Sequence, residues 1–180
     1  ASAMDNRVFK TFRTGRSETV FRYPCFEDLD GFISLHGQLT LQKVMCRRLN
    51  LDQESGAREL SDILAGVEKN RLSHLLIELS GTLVGEGFTK VSGYGYCTVG
   101  LAILSAARGL GIGTEMMWSL EAESRRLGAS RLYLDVWSAN PSAVHVYKKV
   151  GYRESGRRPG WVLTDSGEPC DLIEMIKVLD

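Results

Sequence analysis

Apolar and polar positions along the chain repeat with two different periods, and their order predicts the elements. Val8-Phe9-Lys10-Thr11-Phe12-Arg13 is dense in strand formers, and Thr14-Gly15-Arg16-Ser17 interrupts it. Thr19-Val20-Phe21-Arg22-Tyr23 then returns, which predicts an opening hairpin. After Pro24, the apolar residues Phe26, Leu29, Phe32 and Ile33, with Glu27 and Asp28 in the first turn, predict an amphipathic helix. The stretch from Thr40 to Ser55 shows no clear period and reads as helix or loop. Leu60, Ile63, Leu64 and Val67 follow the i, i+3, i+4, i+7 rule of a second helix, stopped near Asn70. Leu72–Leu79, Leu83–Val91 and Tyr94–Leu104 are strand-like runs separated by Ser80-Gly81 and Ser92-Gly93, predicting three consecutive antiparallel strands.

The period then changes. From Gly111 to Leu127, the residues Ile112, Met116, Leu120 and Leu127 share one helical face, and Gly128 ends it. Arg131 to Trp137 alternates as a strand. Asn140-Pro141 opens another helix, with Asn140 as N-cap and Pro141 in the first helical position, and Gly151 closes it. Two terminal strands follow, the last over Leu172–Leu179. The expected architecture is one α/β domain over residues 1–180. Its mixed sheet is antiparallel at first, makes a parallel crossover between Leu104 and Leu134, and ends in an antiparallel hairpin.

Composition narrows the function. The 180 residues carry 22 basic and 22 acidic side chains, so no overall field favours a polyanion, and nucleic acid is excluded as the expected main partner. No apolar run approaches the ~20 residues of a membrane span, and no export signal precedes the first strand, so a cytoplasmic location is expected. Ala1-Ser-Ala reads as an expression remnant before a natural start at Met4. Cys25, Cys46, Cys97 and Cys170 form no close pair, which points to free thiols rather than a metal site or disulfide framework.

The most informative segment runs from Leu101 to Thr114. There a strand (Leu101, Ala102, Ile103) gives way to Arg108, Gly109, Leu110, Gly111, Ile112 and Gly113 at the start of a helix. Glycines let backbone approach a ligand closely, and the unpaired first-turn N–H groups with the helix dipole favour a phosphate. Arg108 adds a charged donor. The segment also reads as a tight strand-to-helix turn with no ligand. A nucleotide P-loop would need a lysine before Thr114. A dinucleotide fingerprint would need a glycine at Thr114, although Asp135 lies near the place of a ribose-binding acid.

Arg108-x-x-Gly111-x-Gly113 resembles the pyrophosphate loop of the GNAT superfamily of acetyl-CoA-dependent N-acetyltransferases. Leu132-Tyr133-Leu134-Asp135-Val136, Asn140, Ala143 and Tyr147-Lys148-Lys149-Val150-Gly151-Tyr152 are similar to its second motif in order and spacing. The resemblance is strong from about Cys97 to Arg153. It implies the GNAT-type acyltransferase fold, with acetyl-CoA as cosubstrate, an amine acceptor and no metal. Relatives often dimerise, so a homodimer is an expectation. The backbone of Leu101–Ile103 would pair with the pantetheine arm, and the N–H groups from Leu110 to Thr114 would hold the pyrophosphate beside Arg108. Asn140 would contact the cofactor arm, besides capping its helix, and Lys149 would reach a phosphate or stay solvated.

The resemblance makes Tyr147 the expected acid that protonates the departing thiolate; the other reading is a half-buried aromatic. A phenol with pKa near 10 can make that donation. Two carboxylates compete as general base. Asp135 lies where relatives acting on protein N-termini carry a glutamate, one methylene longer, and reads equally as a carboxylate hydrogen-bonded at a strand end; Glu86 lies on an earlier strand. His36 and His145 read as ordinary polar residues. Gly156–Gly167 reads as a variable hairpin whose Trp161, Arg157 and Arg158 would line an acceptor groove or stay solvated. No cysteine lies in the motif segments to form an acyl-enzyme, so direct attack in a ternary complex is expected. The competing readings are a CoA-binding sensor without turnover and a dinucleotide-binding oxidoreductase.

Overall fold

A computed structural model describes residues 7–42, 50–164 and 166–180. The expectations for Met4, Cys46, Asp165 and residues 43–49 therefore lie outside the described residues. The chain runs β1 (Val8–Thr14), β2 (Ser17–Arg22), a 3-10 turn (Phe26–Asp28), α1 (Leu29–Leu41), α2 (Gln53–Glu68), β3 (Leu72–Leu79), β4 (Thr82–Gly93) and β5 (Tyr96–Ile103). It continues through a second 3-10 turn (Ser105–Ala107), α3 (Ile112–Arg126), β6 (Arg131–Trp137), α4 (Pro141–Lys149), β7 (Arg153–Leu163) and β8 (Pro169–Val178). The strands form one sheet in the order β1-β2-β3-β4-β5-β6-β8-β7. All neighbours pair antiparallel except β5 and β6, which are parallel and joined through α3. The expected mixed sheet is present, and it is not the parallel doubly wound sheet that a dinucleotide site would need.

Local chemistry explains the element ends. Asp52 accepts a hydrogen bond from Ser55 N at 2.8 Å while Ser55 Oγ accepts from Asp52 N at 3.0 Å, a reciprocal cap that starts α2. Asn140 Oδ1 accepts from Ala143 N at 3.3 Å, and Pro141 opens α4 behind it. Two details differ from the sequence reading. The turn between β4 and β5 lies at Tyr94-Gly95 rather than Ser92-Gly93, because β4 continues until Gly93 pairs with Tyr96. Most of Gly156–Gly167 is strand β7, and the reversal sits between Leu163 and Pro169.

The sheet is covered on both faces. α3 and α4 pack on Leu75, Ile77, Val99, Leu132 and Leu134. α1 and α2 place Phe32, Leu60 and Ile63 on Leu76, and Leu35 and Leu39 pack with Ala102 and Leu104. Period-two alternation thus assigns every second residue of β3, β4 and β5 to the α1/α2 face, which carries the polar groups described below.

One charged group is buried at the edge of this frame. Arg22 donates to both oxygens of Asp28 (2.7 and 2.8 Å) and to Glu78 at 2.7 Å, while Asp28 Oδ2 also accepts from Cys25 N at 2.8 Å. Burial alone would raise the Asp28 pKa, but the Arg22 hydrogen bond and charge outweigh it and hold it below the ordinary carboxylate range. A depressed pKa contributes stability above the unfolded value and loses it as pH falls. Arg22→Met should therefore lower the free energy of unfolding by roughly 3 kcal/mol at neutral pH. Urea titrations should show the deficit shrinking in acid as Asp28 protonates in both proteins.

Candidate active site

The site begins with a strand that has lost one neighbour. β5 pairs with β4 along its length, from Gly93↔Tyr96 to Gly85↔Ile103. Against β6 it pairs only through Tyr96, Cys97 and Thr98. β6 meanwhile stays paired with β8 from Arg131 to Trp137. From Val99 onward the two parallel strands diverge. A cleft of about 1270 Å³ opens there, lined by Val99, Gly100, Leu101 and Ala102 on one wall and by Asp135, Val136 and Trp137 on the other. Gly100 is required by close approach, since a Cβ there would lie 2.2 Å from the Phe88 ring.

The end of β5 is tied down. Leu104 N donates to Val84 O at 2.8 Å, and Ser105 N donates to the Gln42 side chain at 2.7 Å. The Arg108 side chain bends back and donates to Ile103 O at 3.0 Å, so part of its role is to brace the strand end. Gly111 precedes α3 with φ +80, a left-handed conformation that favours glycine. The first helical hydrogen bond runs from Glu115 N to Gly111 O at 3.2 Å, which leaves the N–H groups of Ile112, Gly113 and Thr114 without intrahelical acceptors. A Cβ on Gly109 or Gly111 would meet nothing within 4 Å. The loop is thus open on the side where an anion would sit.

The cleft brings together several of the sequence-selected residues: Glu86, Leu101, Ala102, Arg108, Asp135, Asn140 and Tyr147. Tyr147, 6% exposed, packs with its ring 6.1 Å from Tyr152. Asp135 is exposed, and its Oδ1 accepts from the Tyr133 hydroxyl at 2.6 Å. Burial and the adjoining Asp135 carboxylate push the Tyr133 pKa up, which keeps it a donor. Ile103, Gly109 to Thr114 and Lys149 do not line the cleft, and Lys149 is exposed on the last turn of α4. Arg157 is held by Glu154 and Asp171, Arg158 is held by Glu174 and lies over Trp161, and Val162, Leu163 and Thr164 reach the cleft instead of these three.

Two residues were missed. His74 Nε2 lies 2.8 Å from Glu86 Oε2, and His36 Nε2 lies 3.0 Å from Glu86 Oε1, the latter too poorly aligned for a hydrogen bond. All three groups are buried at the cleft (3, 4 and 6% exposed for His36, His74 and Glu86). His36, read from the sequence as an ordinary polar residue, is buried against Glu86. Burial alone would raise the Glu86 pKa, but the two imidazoles outweigh it and hold it well below the carboxylate range. Glu86 is thus a fixed charge, and a weak proton acceptor.

Residues 41–152 match the acetyltransferase (GNAT) family. The chain belongs to that family. An N-alpha-acetyltransferase of Sulfurisphaera tokodaii is 39% identical over 57 residues, covering 31% of this chain and 34% of the relative, so the similarity spans about a third of that protein's length. An acetyltransferase of the GNAT family from Streptococcus pneumoniae has the same fold (TM-score 0.79, 18% identity, 89% of this chain and 99% of the other). So does a phosphinothricin acetyltransferase from Sinorhizobium meliloti in complex with acetyl-CoA (TM-score 0.76, 17% identity, 89% and 88%). Among the described residues, no helix is long and apolar enough to cross a membrane.

The buried Glu86 should show itself in stability. Its folded pKa is depressed, so its contribution is present above the unfolded carboxylate value and is lost as pH falls. Glu86→Gln should unfold more easily than wild type at pH 7 by about 2 kcal/mol, the scale of a lost charged hydrogen bond. Chemical denaturation across a pH series should show the two proteins converging in acid.

Proposed function

We propose that this protein transfers an acetyl group from acetyl-CoA to a primary amine by direct attack in a ternary complex. The observation that carries the reading is the unpaired edge of β5 from Val99 to Ala102, facing a cleft and leading through Ile103 to the Gly109–Thr114 turn. An extended strand edge offers backbone donors and acceptors to the amide-bearing pantetheine arm, as an added strand would. The open turn with its first-turn N–H groups offers donors to a diphosphate, with Arg108 close by. The residues present therefore fit coenzyme A, and a relative of the same fold was solved with acetyl-CoA.

The chemistry asks little beyond positioning, since a thioester is already activated. The amine nitrogen attacks the carbonyl carbon, a C–N bond forms, the C–S bond breaks, and the departing sulfur takes a proton. Tyr147 lies on the inner face of α4, seven residues after Asn140, with both lining the cleft. Its phenol supplies that proton. Asp135 and Glu86 give the acceptor side two carboxylates, which draw a cationic amine inward. The acceptor is a primary amine of a protein N-terminus, a lysine, a polyamine or another small molecule.

Thiol release from acetyl-CoA with a panel of amines tests the reading. An active amine should be found, and Tyr147→Phe should lower kcat by about 10²–10⁴-fold. Its acetyl-CoA affinity should stay within about threefold, a change smaller than 1 kcal/mol. Gly111→Val, which forces a β-branched residue into positive φ, should weaken acetyl-CoA binding tenfold or more, about 1.4 kcal/mol. Calorimetric titration reads the affinities. Absence of heat with both coenzyme A and acetyl-CoA would overturn the proposal.

A further inference from the structure

Glu86 was selected from sequence as a base, yet its surroundings give it another task. It lies on the α1/α2 face of β4, with Oε2 against His74 Nε2 at 2.8 Å and Oε1 against His36 Nε2 at 3.0 Å. An ionised carboxylate only accepts, so His74 Nε2 carries the hydrogen it donates. In the neutral ring the lone pair is then on Nδ1. The ring plane is clamped as well: Phe88 stacks on His74 (centroids 6.4 Å apart, 17° between planes), and Phe32 meets it edge-on at 6.4 Å. Phe88 in turn rests on Gly100, within the unpaired edge of β5. His74 is therefore one ring away from the strand that would hold the thioester, and it lines the cleft.

We propose that His74, oriented by Glu86, takes the proton from the incoming ammonium, with His36 as a positioning residue whose imidazole lies against the other oxygen of Glu86. This deepens, and rests on, the acetyl-transfer reading. The proton moves from the acceptor nitrogen to His74 Nδ1, which frees the electron pair that forms the C–N bond. The sulfur of the broken C–S bond takes the Tyr147 proton, the new amide nitrogen returns its extra proton to Tyr147, and His74 releases one proton to water. As a class, imidazoles accept protons more strongly than carboxylates. Asp135 is a poorer candidate also because its Oδ1 already accepts from Tyr133.

The charged groups around His74 do not overturn this. α1 contributes His36, and β4 contributes Glu86 and Lys90. α2 and the chain after it contribute Glu59, Asp62, Lys69 and Arg71, and the far wall contributes Asp135 and Arg108. Apart from Glu86 these are three acids and four bases besides His36, and Glu86 is in direct contact with His74 at 2.8 Å.

The test is kcat/KM against pH, read by thiol release with acetyl-CoA and an active amine, together with calorimetric binding of acetyl-CoA. His74→Gln should bind acetyl-CoA within about threefold of wild type, lose about 10²–10⁴-fold in kcat/KM and lose the acid limb of the profile. His36→Gln should keep that limb with a smaller loss, about tenfold. Asp135→Asn should raise KM and keep the limb. Free imidazole should restore part of the activity of His74→Ala, which a merely structural role would not allow. Retention of the acid limb in His74→Gln, its loss in Asp135→Asn, or failure of imidazole rescue in His74→Ala would overturn the assignment while leaving acetyl transfer standing. Absence of thiol release with every amine would overturn both.

Discussion

The fold is organised around one strand that is hydrogen-bonded on one edge and bare on the other. β6 parts from β5 past Thr98 while it stays paired with β8 from Arg131 to Trp137. The backbone groups of Val99 to Ile103 on that side must then find partners outside the sheet. A bare edge on an outer strand invites association with other chains. Here it is recessed in the middle of an eight-stranded sheet, flanked by helices on both faces, where only a narrow, extended ligand can reach it. The bracing of Ile103 O by Arg108 and of Ser105 N by Gln42 keeps the strand end from collapsing across the gap.

The same gap joins the two faces of the sheet. Tyr147 comes from α4, which packs with the α3-side core, whereas His36, His74 and Glu86 come from the face covered by α1 and α2. In a closed sheet these groups would lie on opposite sides of a layer of backbone. Where β5 and β6 part, they line one cavity. In the proposed reaction the proton donor and the proton acceptor would then serve a single bond exchange from opposite sides of the sheet.

The sequence made the strand and helix periods readable because they depend on local alternation: β3 and β6 fall on their expected bounds, and α4 begins where Asn140 and Pro141 place it. The loop around Gly111 was legible for a similar reason, since positive φ leaves a glycine behind it. The histidine–glutamate cluster was not legible. Ser80-Gly81 sets Leu79 opposite Thr82, and that register continued without interruption would have put Glu86 opposite Leu75, on the α3 face. A bulge between Ile77 and Glu78 moves Glu86 opposite Leu76 and onto the face of His74. Nothing in the local pattern of Leu83–Val91 announces that shift. His36, contributed by α1, is further still from any spacing rule. For Trp161, Arg157 and Arg158 the sequence left a groove role and a solvated one open, and strand pairing with β8 points the arginines at carboxylates on their own hairpin.

The contrast also bears on why acceptor chemistry is harder to infer than cofactor chemistry in such a protein. The segment from β5 to α4 must offer backbone atoms to a ligand, and backbone presentation restricts residue type at few but recognisable points: Gly100 against Phe88, Gly111 at positive φ, Asn140 at a cap. The part of the cleft that α1, α2, β3 and β4 line is built differently, from side chains in ordinary helices and strands whose backbone tolerates many replacements. Chains of 17 to 18% identity share this fold. Under the proposed acetyl transfer, selectivity would follow from the charges that face the cleft, and the bulge that turns Glu86 toward His74 is the local feature on which that face depends.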